Sequence, residues 1–359
     1  MGNGELLERG LVSPPAGDRG AREKLGLAPG PESRLIEALV DSARAGGEQP
    51  DWLRVPLGDD AVTLELPPRG QLVLSSDATV EEIHFRRAWT TWETVGYRAI
   101  AVALSDLAAM AARPLGVLVS LVLPPELGEP VAASIGRGIG ACLRDHGGHL
   151  LGGDVGASPG PVMVDVTAVG QAAAPVPRSG ACPGDELWVT GDLGGAAAAV
   201  ADLQRGLEPP PEARRRFERP TPRLKEASWL VERTSLHALI DISDGLARDV
   251  RHLATVSGVG VEIELAAIPT TPSLQSYEGS DAALHLKVAG GEDYELLMSA
   301  GPGALGTLAA PFAAAFGVPL TRIGSVVEVS RGVRWVGPDG SPRELEWRGF
   351  DHFHEPNET

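Results

Sequence analysis

Cysteine is nearly absent from this 359-residue chain: only Cys142 and Cys182 occur, and they form no C-x-x-C pair. That argues against a disulfide framework or a thiolate site and suits a reduced compartment. Lysine is scarce as well, with Lys24, Lys225 and Lys287 the only three among 31 basic residues. None precedes Ser or Thr, and no G-x-x-x-x-G-K-[ST] string occurs, which excludes a P-loop NTPase. Basic surface in general is short. The net charge of −17 disfavours nucleic acid or an anionic membrane as partner. No apolar run approaches the roughly 20 residues that cross a bilayer. The first residues lack a basic segment followed by an apolar core, so no secretory signal is expected, and the location should be cytoplasmic. H-E-x-x-H and a G-x-G-x-x-G at a strand-to-helix junction are missing too.

With 43% hydrophobic residues the chain can build a sizeable core, and its length suits two domains. Residues 1–30 are rich in Gly, Pro and charge and read as a flexible extension. Residues 31–174 form the expected N-terminal domain and 175–359 the C-terminal one, with the boundary in the Pro/Gly-dense segment Pro175–Asp185. Helices are expected at Ser33–Ala45, from Thr90 (with a Thr90/Glu93 capping box), over Glu126–His146, and from Gly194, Pro222 and Leu246. Strands are expected at Leu72–Leu74, Leu115–Leu123, His149–Leu151, Val162–Val169, Glu186–Thr190, Ala238–Ile242 and Val259–Leu265, and near Tyr294–Met298, Ile323–Val329 and Val333–Val336. Mixed elements joined by Gly/Pro-rich loops point to an α+β (mixed α/β) fold rather than a strict doubly wound sheet.

Seven acids stand in short islands without a basic neighbour: Asp60, Asp77, Asp106, Asp154, Asp241, Asp244 and Glu292. Gathered together they would repel by roughly 4 kcal/mol per pair at 4 Å and intermediate dielectric. Divalent cations relieve that repulsion and favour oxygen ligands, so a metal-rich polyphosphate site is the leading reading. Each island has a plainer alternative. Gly58-Asp59-Asp60 suits a polar turn before a strand, and Ser75-Ser76-Asp77 a strand end. Gly152-Gly153-Asp154 can be a tight turn, or glycines that let backbone approach a phosphate. Asp241-Ile242-Ser243-Asp244-Gly245 can cap the following helix, or present its amides to phosphate. Asp106 is the sharpest case, because it lies inside the most apolar helical segment, where an acid needs a partner. Arg178 and His84 are candidate phosphate or substrate contacts.

Taken in order, GDDAV, SSDATVEEIHF, AIAVALSDLAAMAARPLG, LLGGD, RSGACPGDELWVTG, RPTPR, IDISDGLARDV, GGEDYEL and GFDHF closely resemble the thiamine-monophosphate kinases, over about Pro31 to Phe353. That family belongs to the aminoimidazole-ribonucleotide synthetase-like superfamily, which binds ATP without a P-loop. The resemblance implies two α/β domains of that type, a homodimer, and ATP-dependent conversion of thiamine monophosphate to thiamine diphosphate with several Mg²⁺ ions. It assigns metal contacts to Asp60, Ser75, Ser76, Asp77, Asp106, Asp154, Asp241 and Asp244. ATP contacts fall on Gly153, Asp154, Arg178 and Ser243, and substrate contacts on His84, Glu292 and Phe350. Asp77, Asp106, Asp154 and Asp241 would act in catalysis through their metals. The chain departs from the family pattern at Val155-Gly156, where a hydroxyl is usual, at His146, where an aromatic is common, and at Phe350, where Tyr is common. Alternatives are another ATP-using enzyme of the superfamily, such as a selenophosphate or amidine-forming synthetase, and a non-catalytic acidic metal-binding protein.

Overall fold

The computed structural model describes residues 31–43, 50–55, 63–65, 70–277, 281–347 and 349–350. Helix α1 (Pro31–Ala43) is followed by the short strands β1 (Leu53–Val55) and β2 (Thr63–Leu64), then by β3 (Gln71–Val80), α2 (Trp92–Ala109), β4 (Arg113–Leu123), α3 (Gly128–His146), β5 (His149–Ala157) and β6 (Met163–Ala172). Strands β3-β6-β4-β5 form a four-stranded sheet in that order, antiparallel except for β4–β5. Side chains alternate across it as a pleat requires. Val117, Val119 and Leu121 are buried under the helices, as are Val164, Val166 and Ala168, while Leu118 and Ser120 face outward.

The second half adds β7 (Glu186–Thr190), α4 (Gly195–Gln204), α5 (Pro211–Glu218), α6 (Leu224–Val231), β8 (Ala238–Ile242), α7 (Leu246–Ser257), β9 (Gly260–Glu264), α8 (Asp281–Val288), β10 (Glu295–Ala300), α9 (Ala309–Phe316), β11 (Leu320–Val327), β12 (Val333–Val336) and β13 (Pro342–Arg343). Its seven strands order as β13-β12-β9-β11-β7-β10-β8, with β9–β12 the single parallel pair among them. The fold is therefore α+β, two mixed sheets with helices, as expected from the sequence.

Helix α2 holds the halves together. It is buried along most of its length, and Ile100, Leu104 and Leu107 are fully buried. Each such side chain is worth about 2 kcal/mol of burial. One continuous core runs from Val117 and Val166 of the first sheet, across α2, to Leu239, Leu296 and Met298 of the second. Helices α2 and α3 approach so closely that a Cβ on Gly138 would lie 1.8 Å from the Glu93 carbonyl oxygen. Any side chain there must push the helices apart.

Several expected boundaries shift. Thr91, not Thr90, caps α2: its Oγ1 accepts the Thr94 amide at 3.2 Å, while Thr90 Oγ1 is buried with no hydrogen-bond partner among the described residues. The expected helix from Glu126 begins as a 3₁₀ turn, Pro125–Leu127, before α3. The helix expected from Pro222 starts at Leu224, and α5 was not foreseen, because its eight residues contain three arginines and a thin apolar stripe. Strand β3 runs on through Ser75-Ser76-Asp77 rather than ending there. Strand β5 likewise passes straight through Gly152-Gly153-Asp154, so no turn exists at that point. The reason lies in β4. Gly153 pairs with Val119, whose carbonyl oxygen would be 1.8 Å from a Cβ at position 153. Glycine is required there by a neighbouring strand, whatever else approaches.

Candidate functional site

On edge strand β3, the odd positions Val73, Ser75, Asp77 and Thr79 share the face turned toward α2. The Ser75 hydroxyl donates to Asp106 Oδ2 on that helix. One residue earlier, fully buried Ser105 donates to Asp241 Oδ2 at 2.6 Å. Asp241 lies on β8, the edge strand of the other sheet, opposite Leu296 of β10. Two neighbouring residues of α2 are thus hydrogen-bonded to side chains anchored in different sheets. Glu292 joins from the loop before β10, its amide donating to the Ser243 carbonyl at 2.8 Å.

Electrostatics confirm the convergence. Burial pushes the Asp77 carboxyl up to about 6, helped by the charges of Asp106 and Glu292. Asp106 is raised by burial, against which the Ser75 hydrogen bond and the Arg178 charge act. Asp241 is pushed to about 7 by burial and by Asp106, despite the Ser105 hydrogen bond. All three are raised because burial in one place disfavours their charge. All the donors are carboxylate or hydroxyl oxygens, the set that suits hard cations such as Mg²⁺. Asp77, Asp106, Asp241 and Ser75 offer such donors within one chain.

Asp244 sits in the turn after β8. Its Oδ2 is 3.2 Å from Arg248 Nε, its carbonyl accepts the Phe350 amide at 3.0 Å, and its amide donates to Asp249 Oδ2 at 3.2 Å. Phe350 is thereby tied to the site's rim with its ring half in solvent. Gly245 takes φ +103 where the chain turns into α7, and a Cβ there would meet the Ala289 carbonyl oxygen at 2.8 Å. Arg178 is exposed yet close enough to lower Asp106. His84 is half-buried in the turn after β3, its Nδ1 accepting the Val80 amide at 3.0 Å. Ser76 faces the opposite side of β3, with its hydroxyl 3.5 Å from Asp165.

Two expectations need correction. The acids are not free of basic partners: Glu292 is paired with Arg98, and Asp244 with Arg248. The pairing was invisible locally because Arg98 is 194 residues from Glu292. Asp154, moreover, does not join the others within one chain. It is exposed on β5, opposite Ser120, with its Oδ1 accepting the Val155 amide at 2.9 Å. From Asp77 the register runs through Val166 and Val119 to Gly153, three strand spacings or about 14 Å. Asp60 lies outside the described residues.

Two further residues went unsingled in the sequence. Arg98 is 2% exposed, lies 4.3 Å over the Phe217 ring and donates to the Phe217 carbonyl as well as to Glu292. Asp249 is 2% exposed and raised to about 8 by burial and by Asp241 and Asp244. Its signal was present: it stands in the apolar stripe Leu246, Val250, Leu253, where a carboxylate needs an explanation.

This geometry matches known proteins. AIR synthase related protein, N-terminal domain, matches residues 58–172, and AIR synthase related protein, C-terminal domain, matches residues 182–337. The thiamine-monophosphate kinase of Salmonella typhimurium is 35% identical over 330 residues, covering 90% of this chain and 99% of that protein. The chain belongs to the thiamine-monophosphate kinase family. The crystal structure of thiamine-monophosphate kinase from Stenotrophomonas maltophilia K279a superposes with a TM-score of 0.76 at 34% identity, covering 85% of this chain and 97% of that one. AaThiL complexed with AMPPCP and TMP gives 0.70 at 30% identity, covering 82% and 91%. As a member of this family the chain is a kinase. No helix among the described residues is long and apolar enough to cross a membrane.

Proposed function

We propose that this enzyme transfers the terminal phosphoryl group of ATP to thiamine monophosphate, giving thiamine diphosphate and ADP in thiamine diphosphate biosynthesis, in the cytoplasm. The observation that carries this reading is the convergence of Asp77, Asp106 and Asp241, from both halves, in a family whose relative was solved with AMPPCP and TMP. The acceptor oxygen already belongs to a phosphate ionised near neutral pH, so no strong general base is needed. A direct in-line transfer follows: the acceptor oxygen bonds to the terminal phosphorus as the bond to the bridging oxygen breaks, without a phosphoenzyme. Several bound Mg²⁺ ions would neutralise the phosphate charges. The chain's own residues position and exclude. Ser75, Asp60, Asp77, Asp106, Asp241 and Asp244 would hold the ions, and Gly153, Arg178 and Ser243 would meet ATP; the Ser76 side chain, on the other face of β3, would not join them. His84, Glu292 and the Phe350 ring line the thiamine phosphate site, with Arg98 fixing Glu292.

In this reading residues 31–174 supply the ATP and metal ligands and a dimer face, and residues 175–359 close the site. The outer face of the four-stranded sheet carries exposed Leu72, Leu74 and Leu118, an apolar surface suited to a second copy. Asp77 and Asp154 lie on its opposite edge strands, β3 and β5. A homodimer closed edge to edge brings Asp154 of the partner subunit beside Asp77, which gives Asp154 its expected role. The test is incubation with ATP, Mg²⁺ and thiamine monophosphate, followed by chromatography. Thiamine diphosphate should form, and free thiamine should be a poor acceptor. ATP consumed without thiamine diphosphate would point instead to another enzyme of the superfamily.

A further inference from the structure

Among the described residues, one group of metal-ligating side chains lies outside the carboxylate cluster. Cys182, Asp185 and His237 place their ligand atoms within 4.8 Å of one another. Cys182-Pro183-Gly184-Asp185 is a tight turn, closed by the Asp185 amide donating to the Cys182 carbonyl at 3.0 Å. Pro183 followed by Gly184 at φ +98 is the type II pattern. The Cys182 amide in turn donates to Asp185 Oδ2 at 2.9 Å. His237 precedes β8, its amide fixed on the Ser299 carbonyl at 2.9 Å, and its Nδ1 lies 2.9 and 3.0 Å from the two Asp185 oxygens. The three ligands are thus held by backbone bonds in two separate elements. Cys182 is exposed, its thiol donating to the Gly180 carbonyl at 3.4 Å, while Asp185 is buried.

We propose that Cys182, Asp185 and His237 form a binding site for a borderline-soft divalent cation of the zinc class, with a fourth position open to solvent. One sulfur, one imidazole nitrogen and one carboxylate oxygen make a donor set that zinc accepts and that Mg²⁺ does not select. Bond lengths of about 2.0–2.3 Å around a tetrahedral ion put ligand atoms about 3.3–3.8 Å apart, so the histidine–aspartate contact opens by only a few tenths of an ångström. The cation takes the place of the proton between that pair, which moves to Nε2 of the neutral imidazole, and the thiol proton passes to solvent. Strand β8 separates the site from the carboxylate cluster, since His237 precedes its first residue and Asp241 is near its end. Four residues of strand span about 13 Å.

The probe is cobalt(II) alone, titrated into the full-length chain. A thiolate-to-cobalt charge-transfer band should appear and saturate at one equivalent, and zinc should abolish it. Oxygen ligands give no such band, so cobalt entering the carboxylate cluster does not mimic the result, and the band should persist in Asp106→Asn. Cys182→Ser should remove it, and His237→Ala should weaken cobalt binding by roughly 100-fold or more, at least the effect of losing an outer-sphere partner. The exposed Cys182→Ser change should leave melting and Mg²⁺-supported turnover as in the parent chain. Absence of the band in the parent chain, or its survival in Cys182→Ser, would overturn the proposal and leave Asp185–His237 as a pair that locks a turn.

Discussion

Ser105 of α2 donates its hydroxyl proton to Asp241 of β8 across 2.6 Å, a buried bond between residues 136 apart in sequence. It joins α2 to the second sheet at the point where the acids meet. Ser105→Ala removes the donor and leaves a buried carboxylate oxygen short of a partner. The expected cost is about 1–3 kcal/mol of stability, read by denaturant melts. The Asp241 carboxyl should rise further, since this bond is one of the forces holding it down. Turnover should consequently fall more at pH 6 than at pH 8.

Proton linkage gives a second expectation. Asp77, Asp241 and Asp249 titrate near 6, 7 and 8 in the folded chain against an ordinary value of 3.8. The folded state therefore binds these protons more tightly than the unfolded state. The resulting stability is present at acid pH and is lost as pH rises through about 6 to 8. Metal-free protein should melt at a lower temperature at pH 8 than at pH 6 on this account, and Mg²⁺ should recover most of the difference at pH 8. A melting point that rises across that interval without metal would contradict the clustering.

Arg98 supports the Glu292 carboxylate from beneath. Arg98→Met leaves Glu292 unpaired and should destabilise by about 3–5 kcal/mol, the range for a broken buried pair. Arg98→Lys keeps the charge but not the fork over Phe217, so it should fold, with a raised KM for thiamine monophosphate and a smaller effect on KM for ATP. Equal changes in both constants would show that Glu292 is not a substrate contact.

Much of the site could be read from the sequence because its acids occupy short strings whose surroundings are apolar. Asp106 stood out inside a helix that had to be buried, and the strand Ala238–Ile242 placed Asp241 at the junction with the following helix. What stayed hidden depends on distant partners. The glycines of β5 look like a turn until Val119 is seen to press on Gly153. Arg98 looks like an ordinary helical arginine until Glu292 and Phe217 surround it. Asp154 falls in the same class of strings as the other acids, yet three strand spacings separate it from Asp77 within one chain.

That separation makes a direct test of the dimer reading. Asp77→Asn and Asp154→Asn should each be nearly inactive. When the two are mixed and allowed to exchange subunits, the hybrid dimer holds one site with both aspartates intact, and activity should return. Mixtures that stay inactive, while light scattering shows that exchange occurred, would place both residues in one subunit's site or neither.

The most direct measurement compares turnover and melting of Asp106→Asn with the parent chain under saturating ATP, thiamine monophosphate and Mg²⁺. Thiamine diphosphate formation should fall by about 100-fold or more, the scale of losing one transition-state stabilising group, while the metal-free melting temperature stays level or rises because a buried charge is gone. Turnover within a few-fold of the parent would contradict the claim that these converging carboxylates serve phosphoryl transfer.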